Sequence, residues 1–148
     1  RWDRTWKGKE KGVLPRRRQG LRMDVAQHLG GGLQFHGRGE VVRTALAGDR
    51  EVGGSAFGGL EIRRRGFRLE SRLTCFDIPS YESRIFEWET APEGMMALRT
   101  LTGRGFKGYA LISVKVGPVR PTCRLWRQWP TDGRKATTEI VAQVEANM

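Results

Sequence analysis

The sequence is poor in the residues that most reactions and metal sites require. Histidine occurs twice, as His28 and His36, and neither stands at ligand spacing from another His, a Cys or a pair of carboxylates. Both read as structural or exposed side chains. Cys75 and Cys123 are too few for a disulfide framework and lack C-x-x-C spacing, which points to a reducing compartment. Ser55 follows Gly53-Gly54 without a G-x-S-x-G elbow, and the glycines at 30–32, 37 and 39 form neither a P-loop nor a dinucleotide fingerprint. No catalytic residue, cofactor or metal is therefore expected. No apolar run has the length of a membrane helix, so the reading is of a chain without a membrane span, soluble or peripheral.

Acidic residues are also scarce. Against 16 Asp and Glu stand 27 Lys and Arg, a formal charge of +11 over 148 residues. Such a balance favours polyanions, acidic proteins or anionic lipid surfaces, and it is equally the balance of many organelle proteins. The length suits one domain with a tail. The chain starts at Arg1, not Met, which reads as a processed or partial protein whose targeting segment is out of view.

Residues 1–20 read as a basic extended arm, with Trp2 and Trp6 packing on the chain's own domain and Gly and Pro breaking any period. Residues 21–148 read as the folded domain. Leu21, Val25 and Leu29 recur every four residues before the glycines at 30–32, the pattern of a short helix over 21–29. Beyond residue 33 the period is two. Phe67, Leu69, Ser71, Leu73 and Cys75 alternate with Arg68, Glu70, Arg72 and Thr74, and Phe106 to Val116 alternate with Lys107, Tyr109 and Ser113. Each predicts a half-buried strand. Weaker strands are expected near 33–35, 40–46, 60–62, 84–88, 96–101 and 124–129. β-Branched residues tip 136–144 toward strand. Many short strands with Gly, Pro and Asp between them imply an all-β sandwich or barrel.

Candidate polyanion contacts are the runs Arg16, Arg17, Arg18 and Arg63, Arg64, Arg65. Trp126 and Trp129 beside Arg124 and Arg127 resemble the interleaving of single-strand binders, although a strand with its aromatics in the core and its arginines outward is the favoured reading. Glu82, Glu87, Glu89 and Glu93 form an acidic island that reads as a solvated loop.

Three ordered blocks carry a family resemblance. Residues 48–55, holding Asp49 and Gly53-Gly54, with Leu60 beyond, resemble the opening signature of the complex I intermediate-associated protein family. Gly108-Tyr109 leading into 110–113 is similar to its glycine-aromatic block, and the strand ending in Asp132-Gly133-Arg134 is similar to its Gly-Asp-Gly-Arg end. Gly48 and Thr131 depart from the usual Ser and Gly, Ser55 stands one place early, Ser71 replaces a Gly, residues 75–102 are a longer insertion, and the final strands are missing. A divergent or truncated member is implied. The matched positions read as structural, with an Asp-led Gly-Gly turn of positive φ at 53–54 and a tight Asp-Gly turn at 132–133.

The resemblance implies a galactose-binding-like β-sandwich of jelly-roll type. It further implies a non-catalytic protein-binding role, as an assembly factor or accessory subunit of respiratory complex I on the mitochondrial matrix side, in contact with protein subunits and peripherally with the membrane arm. The alternatives are an RNA-binding or ribosome-associated organelle protein, a plastid location, and a carbohydrate-binding module.

Overall fold

In a computed structural model of the chain, the structure describes residues 2–6, 16–46, 49–95 and 97–146. They form ten strands: β1 Trp2–Trp6, β2 Arg16–Gly30, β3 Leu33–Leu46, β4 Asp49–Arg64, β5 Phe67–Ile78, β6 Ile85–Trp88, β7 Leu98–Leu101, β8 Gly103–Val114, β9 Val119–Pro130 and β10 Thr137–Ala146. The expected all-β class is what is found. Eight strands make one antiparallel sheet in the order β1-β2-β3-β4-β5-β8-β9-β10, and β6 pairs only with β7. The order is a meander. Among the described strands the sheet has none of the crossovers that a jelly roll requires.

Residues 21–29, expected to be helical, are instead the second half of β2. Their four-residue recurrence is a by-product of alternation, because Leu21, Met23, Val25 and Leu29 share one side of the strand with only Gln27 interrupting. The expected arm is in part sheet as well: β1 pairs with β2 from Trp2 opposite Leu21 to Trp6 opposite Arg17. Residue 1, residues 7–15 and Gly48 lie outside the described residues. The stretch 75–102, read as an insertion, divides at Ile78. Its first residues complete β5, and the rest carries the β6–β7 hairpin, which lies across one side of the sheet between β5 and β8. A small apolar cluster fastens one end of this cover, where Ile85 and Leu101 of the hairpin meet Val42, Phe76 and Ile78 of the sheet.

Turn chemistry sets where the long strands reverse. Between β2 and β3, Gly32 has φ +79°, and a Cβ there would fall 2.0 Å from the carbonyl oxygen of Arg63. The Arg63 N–H donates to the Gly32 carbonyl at 2.7 Å, tying this turn to the end of β4. Only glycine meets both demands. Gly32→Ala is expected to lower stability by about 1–3 kcal/mol, read as the urea midpoint. Gly39→Ala, in open space within β3, should change it by less than about 0.5 kcal/mol; equal midpoints would show that the turn is unconstrained.

Candidate functional site

Alternation along each strand sorts the side chains onto two faces, and the register carries that sorting across the whole sheet. One row runs Asp24, Arg38, Phe57, Thr74, Lys107, Gln128, and the row beside it in the opposite orientation runs Val25, Gly37, Gly58, Leu73, Gly108, Arg127. The hairpin covers the middle of the polar face and leaves Arg22 and Asp24 of β2 exposed. The apolar face is uncovered.

On the covered face the hairpin presents Ile85, Glu87, Glu89, Arg99 and Leu101, every second residue of its short strands. Glu89, with no side-chain exposure, accepts from Lys107 Nζ at 2.5 Å, from Arg124 Nη2 and from Trp126 Nε1 at 3.3 Å. Glu87 accepts from the same Lys107 at 3.0 Å, from Arg72 Nη1 at 3.1 Å and from the Thr74 hydroxyl at 3.2 Å. Lys107 is 1% exposed, the largest of the fully buried side chains among the described residues. Beside this cluster Glu70 accepts from the Tyr109 hydroxyl at 2.6 Å and from Arg68 at 2.8 Å. Arg72 stacks 4.1 Å from the Phe57 ring centroid, and Arg99 stacks 4.7 Å from that of Trp126. Buried charges persist only when paired, and here hairpin carboxylates meet sheet cations.

The other face inverts the expectation drawn from alternation. Phe67, Leu69, Leu73 and Cys75 do share a face, as do Phe106, Ile112 and Val114, but it is the uncovered one. Leu73 is 58% exposed while Thr74 beside it is 1% exposed. Met23, Val41, Val52, Leu60, Leu125, Ile140 and Val144 continue this apolar face across the sheet, all half or more exposed or close to it. Cys75 and Cys123 lie on it as free thiols. A water-soluble sheet buries its apolar face and solvates its polar one; this sheet does the reverse.

The candidate residues fall in different places. Gly53 and Gly54 are not a positive-φ turn but lie within β4. The close approach does hold at Gly53, where a Cβ would stand 3.2 Å from the Ser83 carbonyl of the covering segment. Asp49 begins β4, Leu60 faces outward, and Gly108 and Tyr109 sit within β8, Tyr109 turned to the covered face. Asp132-Gly133 is not a tight turn but part of the six-residue connection between Pro130 and Thr137, with Gly133 at φ +84°. There Arg134 Nε donates to Asp132 at 2.9 Å and holds its carboxyl below the usual range.

The basic runs do not form one patch. Arg16, Arg17 and Arg18 open β2, with Arg18 donating to the Arg84 carbonyl at 2.7 Å, whereas Arg63, Arg64 and Arg65 end β4 and enter its turn, Arg63 paired to Glu61. Trp126 and Arg124 face the cover, and Trp129 and Arg127 face out. The acidic island is not a solvated loop, since Glu87 and Glu89 are its buried members. Their spacing of two, matched by Glu70, Arg72 and Thr74, was the available sign of a shared face. His36 stands 3.9 Å from Glu61, and no group of three potential metal ligands occurs among the described residues.

Compared with known proteins, the chain matches no family model, no curated sequence and no solved structure.

Glu89→Ala leaves Lys107 and Arg124 buried beside a void, and is expected to cost about 3–5 kcal/mol and to raise hydrogen exchange across 85–101. Arg22→Ala, at a pair with Glu40 whose arginine is 44% exposed, should cost less than about 1 kcal/mol. Equal losses would remove the hairpin charges from their anchoring role.

Proposed function

We propose that this chain forms part of the wall of a membrane-spanning β-barrel, with its apolar face in hydrocarbon and the β6–β7 hairpin filling part of the interior. The single observation that carries the reading is the inverted polarity: a continuous apolar outer face over a polar, ion-paired inner one. The expectation of a chain without a span was drawn from helix-length apolar runs. Among the described residues no helix is long and apolar enough to cross a membrane, a criterion that strands do not enter.

The dimensions support the reading. The outward apolar runs cover residues 21–29, 33–41, 52–62, 67–75 and 106–114, each about 9–11 residues and so the length of a tilted spanning strand. Outward charges bound these runs along a slope. On β2 and β4 they begin at Arg17 and Arg50, which share a register row; on β5 and β8 they begin at Asp77 and Arg104, two rows deeper; and on β9 Arg127 is deeper again, opposite Gly108.

With rows about 6.7 Å apart along the strands and strands about 4.8 Å apart, this edge descends about 27 Å over about 24 Å of sheet. The opposite edge also descends, from the Gly30–Leu33 row of β2 and β3 to the Val119–Ala146 row of β9 and β10. A belt of even height that crosses the strands obliquely is what tilted barrel strands produce. Phe106 stands just inside the upper edge on β8, and its partner Trp129 just beyond that edge on β9, so that the pair brackets the level of an aromatic girdle.

A second reading is the non-catalytic mitochondrial partner of complex I that the resemblance implies. It is favoured by the outer sides of β1 and β10, which end the sheet and offer edges for strand addition. RNA binding through the basic runs is the remaining alternative.

Labelling separates these. In a chain carrying Cys75→Ser and Cys123→Ser, single cysteines restored one at a time across 72–76 receive a fluorophore in the presence of vesicles with lipid-borne quencher. Quenching is expected at 73 and 75 and not at 72, 74 or 76. Leu73→Arg is expected to destabilise the vesicle-bound fold by about 2–4 kcal/mol. A chain that stays in the aqueous phase, migrates with a protein assembly on a native gel, or shows no alternation of quenching overturns the membrane reading.

A further inference from the structure

Three of the outward arginines that have no hydrogen bond or ion pair among the described residues stand together. Arg17, Arg43 and Arg50 make no hydrogen bond or ion pair among the described residues. Most other arginines near a strand end do so, Arg104 with Asp77 and Arg134 with Asp132 among them. The register explains why these three converge. Arg17 and Arg50 lie on either side of Ala45, which is opposite both, and Arg43 stands two residues along β3 on the same face. The methyl group of Ala45 leaves a floor between three long side chains, and with Gln19 they enclose a cavity of about 360 Å³. Among the described side chains no carboxylate lines it. The nearby acids Glu40 and Glu51 point to the covered face, Glu51 toward the Ser80 hydroxyl.

Directly along the same strands the outward side chains become small. Gly39, Gly54 and Ala56, flanked by Val41, Cys75 and Phe106, line an open trough of about 690 Å³ whose surface is almost wholly apolar. Val52 and Val41 lie between the arginine cavity and this trough. Unpaired guanidiniums at the edge of an apolar belt, followed inward by a smooth groove, match the two halves of one amphiphile. The fork of each guanidinium suits phosphate oxygens, and three of them around one cavity suit a phosphate that bears net negative charge.

We infer that Arg17, Arg43 and Arg50 form a binding site for the phosphate headgroup of an anionic lipid, with an acyl chain lying in the Gly39–Gly54–Ala56 trough. The site rests on the membrane reading and adds to it a lipid class. Clustered basic side chains at a membrane surface attract anionic lipid additively, and the trough requires that the anion come with a chain attached. Free phosphate would occupy the cavity and leave the trough unused.

The test uses the chain reconstituted in vesicles of phosphatidylcholine with a minor share of phosphatidylglycerol, then extracted in mild detergent and weighed by native mass spectrometry. Retention of one phosphatidylglycerol is expected. The triple variant Arg17→Ala, Arg43→Ala, Arg50→Ala should lose it by about a hundredfold in apparent affinity. Replacing Arg63, Arg64 and Arg65 by Ala, an equal loss of charge elsewhere, should not. Ala56→Trp, which fills the trough, should weaken retention with the arginines intact.

Lipid retention that is equal in the arginine triple variant, or equal for phosphatidylcholine, overturns the site while membrane insertion, followed by the quenching at 73 and 75, stands. Displacement by inorganic phosphate alone, with no effect of Ala56→Trp, would make it a free-phosphate site and overturn the lipid. A chain that does not insert into vesicles takes both proposals down together.

Discussion

The arrangement depends on one carboxylate. Glu89 stands at the end of a short hairpin with no exposure to solvent, and Lys107 and Arg124 of two adjacent sheet strands close on it. Arg124 has no other close carboxylate and Lys107 only Glu87 besides, while the apolar contacts of the hairpin lie away from them, near Ile85 and Leu101. Once Glu89 and Glu87 are in place, the centre of the polar face is satisfied internally and needs no water. That frees the opposite face to carry a broad apolar belt, with charge only toward its edges. A sheet with solvent on its polar side would orient itself by hydrophobic burial; here the ion pairs orient it.

The two faces therefore differ in the kind of force that organises them. The inner one uses directional contacts, with guanidinium planes over Phe57, Tyr109 and Trp126 and carboxylates shared between strands. The outer one has almost no directional contact and relies on its surroundings. Its side chains are small over β3 and β4, at Gly37, Gly39, Gly54, Ala56 and Gly58, and larger over β5 and β8. The wall is consequently uneven, which is why a trough lies where it does and why the arginines above it have room to converge.

Much of this was written in the sequence, but its sign was not. The period of two along 67–75 and 106–116 locates β5 and β8, Asp132-Gly133 marks a chain reversal although a longer one than a tight turn, and the strand nature of 137–146 was readable from β-branching. What alternation does not encode is which side of it meets water. Leu73 and Thr74 carry the same pattern whether the leucine is inside a soluble core or outside a barrel. The helix expected over 21–29 failed for a related reason, because residues four apart lie on one side of a strand as well as near one side of a helix. The buried cluster escaped notice because Glu87 and Glu89 are distant in sequence from Lys107 and Arg124, and only the fold of 79–102 back over the sheet brings them together. The uniform positive charge hid the more useful distinction between arginines that have carboxylate partners and those that have none, three of which converge at Ala45.

The meander order has a kinetic consequence. Every strand of the large sheet pairs with the one before it in the chain, except at the single step from β5 to β8. Assembly can thus proceed by adding one hairpin at a time, with small loop-closure entropy at each addition. The step across 79–102 is the slow one, and its loop is the segment that carries Glu87 and Glu89. Until that loop folds back, β8 and β9 bring Lys107 and Arg124 to the sheet without counter-charge, so the second half of the sheet is held open until the first half has received its cover. Pairing order and charge neutralisation become one event, and the chain acquires a checkpoint against closing around an unfilled interior.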